Sequence, residues 1–331
     1  MRHIDGQTFN QARPQPFMLS PQDQDNGFFD VARVSSDISF ADFCDSYLTP
    51  EVPVVIEGAG KNWPARERWN EEYLHKKLAK EASASAASLW YWLNREALVE
   101  DYTTPPFINQ CLDSTAAFPR KKHLRLWINK KGNVSRWHYD STFINVFNAQ
   151  ITGTKDWILV SPDTPIDCYP FTTFSIIDDR GDAILKDKIY TRFTLNEGDI
   201  VYIPPVWFHQ VTASGDESIN LNWLFTKKET TATSATLKRE VERYIINDYL
   251  TKHRFKVIRH LANQFNKYAP AYAKISWHYS ELIKTPYTTT RTDLLKRFAT
   301  EVLLLGKTLR YVNNIKSYTK TLSKPRKITK I

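Results

Sequence analysis

Residues able to do chemistry together are concentrated between positions 135 and 209. The run Ser-Arg-Trp-His-Tyr-Asp places His138 and Asp140 two residues apart, and Val-Tyr-Ile-Pro-Pro-Val-Trp-Phe-His ends on His209. On a β-strand, residues two apart share a face, so this spacing predicts an imidazole nitrogen and a carboxylate oxygen directed at one point. His209 is expected to reach the same point from a distant strand. Two histidines and a carboxylate on one face of a metal leave the opposite face open, the arrangement used by non-haem Fe(II) oxygenases. The triad is read as an iron site. A lone histidine in a β protein is usually structural, and the acid two residues away gives this pair a different meaning.

The elements that must position these residues are short strands. Residues 124–129 alternate in the manner of a strand, a Gly-containing turn follows at 130–133, and the ligand strand begins near Ser135. This order predicts a hairpin. A second hairpin is expected from 143–151 and 155–162 around the turn Thr-Gly-Thr. Residues 192–195 and 200–205 form a further strand, turn and strand, and 209–212 and 218–225 complete the series. Closely spaced strands of this kind predict a mainly β fold, a double-sheet jelly roll.

Upstream, 39–47 and 69–78 have helical spacing, 53–58 reads as a buried strand, and 83–100 and 107–112 fit either helix or strand. Residues 1–30 are polar and are expected to hold little regular structure. From position 235 the apolar period changes to three and four, which predicts amphipathic helices. The expected organisation is an N-terminal arm at 1–34, a β-barrel domain at 35–226 and a basic α-helical region at 227–331.

Composition bounds the class. With 331 residues, 42% apolar and 13% aromatic, the chain can bury a large core. The opening residues lack the apolar run of a signal peptide, and no stretch approaches the roughly 18 apolar residues of a spanning helix. The expectation is a cytoplasmic protein with no membrane association. Cys44, Cys111 and Cys168 are widely spaced and form no C-x-x-C pair, so they suggest neither a disulfide framework nor a zinc site. The net charge of +9 is unevenly spread: residues 227–331 carry 23 Lys and Arg against 7 Asp and Glu, and residues 1–226 carry 22 against 29. A basic tail can meet nucleic acid or an acidic partner, or can simply be a solvated helical surface.

Four ordered blocks carry a resemblance. Pro53-Val-Val-Ile-Glu-Gly with Trp63-Pro64, His138-Tyr-Asp140, Gly153-Thr-Lys155-Asp-Trp-Ile-Leu-Val-Ser-Pro162 and Gly198-Asp-Ile-Val-Tyr-Ile-Pro-Pro-Val-Trp-Phe-His209 together resemble the JmjC and cupin-like family of Fe(II)- and 2-oxoglutarate-dependent oxygenases. That family includes the asparaginyl hydroxylase of hypoxia-inducible factor and a hydroxylase of a modified tRNA base. The resemblance covers roughly residues 35–226. It implies a double-stranded β-helix with flanking helices, Fe(II) held by His138, Asp140 and His209, and 2-oxoglutarate and O2 as co-substrates. It assigns Lys155 to the distal carboxylate of 2-oxoglutarate, which gives a lysine inside a barrel the anion it needs. By the same resemblance Asn148 helps hold the co-substrate, and Ser135 stands where a threonine touches it.

Asn220 and Asn222 share a face of the last strand, and one of them is expected beside the iron or the co-substrate. Phe107 stands where some relatives present a tyrosine hydroxyl, with Tyr102 or Tyr91 as replacements. Trp137, Tyr139, Trp207 and Phe208 are expected to form part of the walls. The resemblance implies hydroxylation of a protein or peptide side chain, with release of succinate and CO2. A modified tRNA base is the alternative substrate, motivated by the basic tail, and a non-catalytic cupin binding module is the alternative class. The tail's apolar helix faces must be buried somewhere, and homodimerisation through C-terminal helices is the expectation.

Overall fold

The computed structural model describes residues 2–4, 7–10, 27–78, 82–85, 88–93, 97–114, 124–135, 137–140, 144–164, 166, 182–227, 229–231 and 256. The expected C-terminal helices and Cys168 lie outside the described residues. In chain order the strands begin with β1 (Arg2–Ile4), β2 (Gln7–Asn10), β3 (Ala32–Ser35) and β4 (Val54–Glu57). They continue with β5 (Ala82–Ser85), β6 (Ser88–Leu93), β7 (Leu124–Lys130), β8 (Asn145–Thr152) and β9 (Lys155–Val160). The last are β10 (Tyr190–Leu195), β11 (Ile200–Ile203), β12 (Phe208–Ala213), β13 (Glu217–Phe225) and β14 (Glu229–Thr231). The helices are α1 (Phe40–Phe43), α2 (Ala65–Arg68), α3 (Glu71–Leu78) and α4 (Pro106–Ser114). A π turn, Cys44–Leu48, prolongs α1.

An eight-stranded sheet in the order β3-β4-β11-β8-β13-β7-β6-β5 faces a three-stranded sheet in the order β10-β9-β12. The mainly β double-stranded β-helix expected from the sequence is present. Its central strand shows why the fold is two-layered on both sides. β8 is buried along nearly its whole length. Phe147, Ala149 and Ile151 enter a cluster with the helices, where Phe43, Phe107 and Tyr202 also pack. Val146 enters a second cluster with Trp157, Leu159 and Leu195 of the smaller sheet. Strand alternation therefore assigns Asn148 and Gln150 to the space between the sheets.

Neither predicted hairpin forms. β7 pairs with β6 and β13, and the segment after it crosses to the smaller sheet, where Val134 bridges Thr212 and His138 bridges His209. β8 likewise pairs with β11 and β13, whereas β9 pairs with β10 and β12. A short Gly-bearing link fits a hairpin and a corner equally well, and sheet closure decides between them. At the β8–β9 corner Gly153 has φ +69°, and a Cβ there would lie 2.3 Å from the Glu217 carbonyl oxygen. Only glycine fits that approach.

The two ambiguous stretches resolve as the strands β5 and β6 and the helix α4. The predicted 69–78 helix begins at Glu71, because Trp69 is extended and the Asn70 side chain accepts from the Tyr73 amide at 2.9 Å. The N-terminal arm is more regular than its composition suggests. β1 and β2 pair, β14 joins β2 in parallel, and β3 runs parallel to β4. The helix layer is tied to its loop by Asp101, whose buried carboxylate accepts from Trp69 Nε1 at 2.9 Å, Arg68 Nη1 at 2.9 Å and Tyr73 Oη at 2.8 Å. Burial alone would raise this acid's pKa, and the hydrogen bonds from Trp69, Arg68 and Tyr73 outweigh that and hold it below the usual carboxylate range.

Candidate metal centre and anion pocket

His209 lies on β12, and His138 faces it across an antiparallel bridge made by two backbone hydrogen bonds of 3.1 and 2.7 Å. The two imidazole centroids are 4.2 Å apart, and His209 Nε2 is 3.9 Å from Asp140 Oδ2. One ligand atom from each of His138, Asp140 and His209 lies within 4.8 Å of the others. His209 Nδ1 stands 3.0 Å from the Trp207 carbonyl. A carbonyl can only accept, so Nδ1 carries the proton and the Nε2 lone pair is left for a metal. The ligand segment is not a regular strand, contrary to expectation, yet it keeps the two-residue alternation. His138 and Asp140 are partly exposed, and Trp137 and Tyr139 are buried with Val160, Val206 and Phe208.

Lys155 opens β9 on the face shared by Trp157 and Leu159, and Leu159 pairs with His209. Its side chain is buried, and its ammonium donates to Asn129 Oδ1 at 2.8 Å and to Asn220 Oδ1. Both acceptors are neutral amides. Burial lowers the lysine pKa to about 7. Asn220 Nδ2 in turn donates to Asn222 Oδ1 at 2.6 Å, and Asn222 is in register with Asn148 on β8. The Asn148 carbonyl oxygen is buried and has no hydrogen-bond partner among the described residues. Two of the predicted polar residues, Asn220 and Asn222, thus join Asn129 in one amide row beside the lysine, with Asn148 and Gln150 on the neighbouring strand.

Ser135 has a structural duty that the sequence did not reveal: its hydroxyl accepts from the Val211 amide at 2.8 Å, fastening the ligand segment to β12. Phe107, Tyr102 and Tyr91 pack in the cluster with the helices, on the opposite face of the large sheet from Asn148. None of the three lies on the face that carries Asn148. Trp137, Tyr139 and Phe208 form a separate cluster behind the ligand segment, and Trp207 donates to the Glu51 carbonyl at 2.9 Å. Beside the His-Asp-His cluster stands Trp157, whose ring centroid is 5.9 Å from that of His209 and which shares a cluster with Trp207. Asn129 and Trp157 were both missed. The two-residue period is the signal that finds them: it sets Asn129 on the face opposite Leu126 and Ile128, and Trp157 on the same face as Lys155.

Two facing sheets enclose a buried lysine and a His-Asp-His cluster that could hold a metal ion, in a double-sheet β-barrel. Residues 95–231 match the cupin-like domain family. It is 26% identical over 213 residues to the arginine-specific demethylase JMJ22 of Arabidopsis thaliana, covering 53% of this chain and 42% of that protein. It is 22% identical over 226 residues to the bifunctional arginine demethylase and lysyl-hydroxylase psr-1 of Caenorhabditis briggsae, covering 54% and 57%. It is 29% identical over 163 residues to the tRNA wybutosine-synthesizing protein 4 of Aspergillus oryzae, covering 47% of this chain and 15% of that protein. The chain thus spans about half or less of the length of these curated relatives. Among the described residues, no helix is long and apolar enough to cross a membrane.

Proposed function

We propose that the protein is an Fe(II)- and 2-oxoglutarate-dependent dioxygenase that hydroxylates a side chain of a protein or peptide. The observation that carries this reading is Lys155, a buried cation whose two hydrogen-bond partners are neutral, on the barrel face shared with a metal-binding triad. A lysine confined in this way is stabilised by an anion. A two-histidine, one-carboxylate set with open positions suits iron.

In this reading His138, Asp140 and His209 hold the metal, and the Trp207 carbonyl fixes the tautomer of His209. Lys155 binds the distal carboxylate, and Asn129 and Asn220 hold the ammonium in place. Asn148 and Asn222 lie along the same pocket, and Ser135 keeps the ligand segment on β12. Bound iron supplies the activation of O2 that couples conversion of 2-oxoglutarate to succinate and CO2 with oxygen insertion into a C–H bond. A protein substrate is supported by relatives named as arginine demethylases and a lysyl-hydroxylase. Anaerobic titration of the apoprotein with Fe(II) and 2-oxoglutarate is expected to produce the visible charge-transfer band of the chelate, and Lys155→Ala is expected to need far more 2-oxoglutarate. A folded protein that gives no band would favour a non-catalytic cupin module.

A modified tRNA base is the second reading, favoured by the excess of 23 Lys and Arg over 7 Asp and Glu in residues 227–331. The similarity to the tRNA wybutosine-synthesizing protein adds to it. This reading requires RNA affinity that falls steeply with salt and depends on the tail. Equal RNA binding with and without residues 232–331 would remove it.

A further inference from the structure

Trp157 occupies a position on β9 between the two halves of the site. Lys155 is two residues before it, and Leu159, the register partner of His209, is two residues after it. Strand alternation puts all three on the inter-sheet face, at steps of roughly 6–7 Å. The indole plane is fixed on both sides. It lies parallel to the Phe193 ring, with an interplanar angle of 2° and centroids 6.4 Å apart, and it abuts His209 at 5.9 Å. Trp157 is 4% exposed, and its Nε1 has no hydrogen-bond partner among the described residues.

An indole nitrogen can only donate, and leaving a buried donor unmatched forfeits its hydration without return. Other buried indoles of this chain are matched: Trp69 Nε1 donates to Asp101 and Trp207 Nε1 to the Glu51 carbonyl, each at 2.9 Å. An unmatched polar atom in a folded core calls for a specific reason. Here the reason lies in the company it keeps, a buried ammonium on one side and a metal-binding triad on the other. Both favour an anion in the space between them.

We propose that the Trp157 indole N–H is a further binding group for the co-substrate, donating a hydrogen bond to a carboxylate oxygen of the dicarboxylate held between Lys155 and the triad. This rests on the 2-oxoglutarate reading. It makes Trp157 a rigid third point of attachment, beside one charged anchor and one metal. Rigidity matters because an indole clamped between Phe193 and His209 loses little freedom when the ligand arrives.

The test uses the full chain loaded with Zn(II), which is redox-silent, and needs no turnover. The Trp157 indole N–H resonance is assigned by its loss in Trp157→Phe, among the signals of 10 tryptophans. Adding 2-oxoglutarate is expected to move it downfield and slow its exchange with water. In parallel, calorimetry measures 2-oxoglutarate affinity with 3-benzothienylalanine at position 157, which keeps the shape and replaces N–H by sulfur. Affinity is expected to fall about 10-fold or more, the scale of a hydrogen bond to a charged group, with Zn(II) affinity unchanged. If 2-oxoglutarate binds and Lys155→Ala weakens it while the sulfur analogue binds normally, the Trp157 inference is overturned and the parent reading stands. If the wild type takes up no 2-oxoglutarate, both are overturned.

Discussion

Lys155 carries the clearest consequence of pH. Its pKa falls to about 7 in the folded protein through burial, against roughly 10.4 for an unperturbed lysine. Between those values the unfolded chain binds more protons than the folded one, so this group makes stability rise with pH from about 7 to about 10. Below pH 7 its full cost is present. Thermal melts of the co-substrate-free protein should therefore show Lys155→Met gaining most over wild type near pH 6, by up to a few kcal/mol, and that gain shrinking towards pH 10. Binding of the proposed co-substrate, 2-oxoglutarate, would reverse the preference, because the dianion favours the ammonium. Uptake of a proton on binding above pH 7, read by calorimetry in buffers of different ionisation enthalpy, is the expected sign. At this scale the convergence of the three residues proposed to hold the metal was the most legible part of the chain. The His138, Asp140 and His209 constellation follows from a two-residue spacing and one more histidine, and residue type alone limits what such a set can do. The partners of Lys155 were harder to read, because Asn129 lies 26 positions and Asn220 65 positions away, and nothing local in the sequence announces a pairing across two sheets.

Short links between strands were read as hairpins, and the ones flanking the site are corners. Local sequence specifies that the chain must turn at Thr-Gly-Thr, but not whether the next strand pairs beside the last or in the opposite sheet. That choice belongs to the closure of the barrel, in which β9 finds β10 and β12 and β8 finds β11 and β13. Gly153 is the hinge of this choice, and Lys155 follows two residues later. Gly153→Ala forces a Cβ against the Glu217 carbonyl at a positive φ. It is expected to destabilise the fold by about 2–3 kcal/mol and to weaken 2-oxoglutarate binding by displacing the lysine. Denaturant melts and the anaerobic titration measure the two effects separately. A variant that loses stability but binds normally would mean that the corner and the anchor are mechanically independent. The ambiguous stretches 83–100 and 107–112 were undecidable for a related reason: their apolar residues fit either period, and packing against β7 and against Phe43 and Phe147 made the selection.

At the scale of the whole molecule, the sequence separates an acidic front from a basic tail, and the barrel falls in the front. If the tail mediates self-association, as its apolar period leads one to expect, light scattering on a chain ending at residue 231 should report a monomer where the full chain reports a dimer. Ending there retains β14 and its pairing with β2, so loss of the dimer would not reflect loss of that small sheet. An unchanged oligomeric state would exclude the tail from self-association. The way the barrel is laced together also has a consequence for its birth. The contacts that complete the site join residues 65 and 76 positions apart, and such distant pairings form late because the intervening loops must close first. A nascent chain thus offers the proposed iron no complete set of ligands until the barrel has shut. Metal added during refolding should leave the folding rate unchanged and lower only the unfolding rate, so that iron acts as a lock fitted to a finished door.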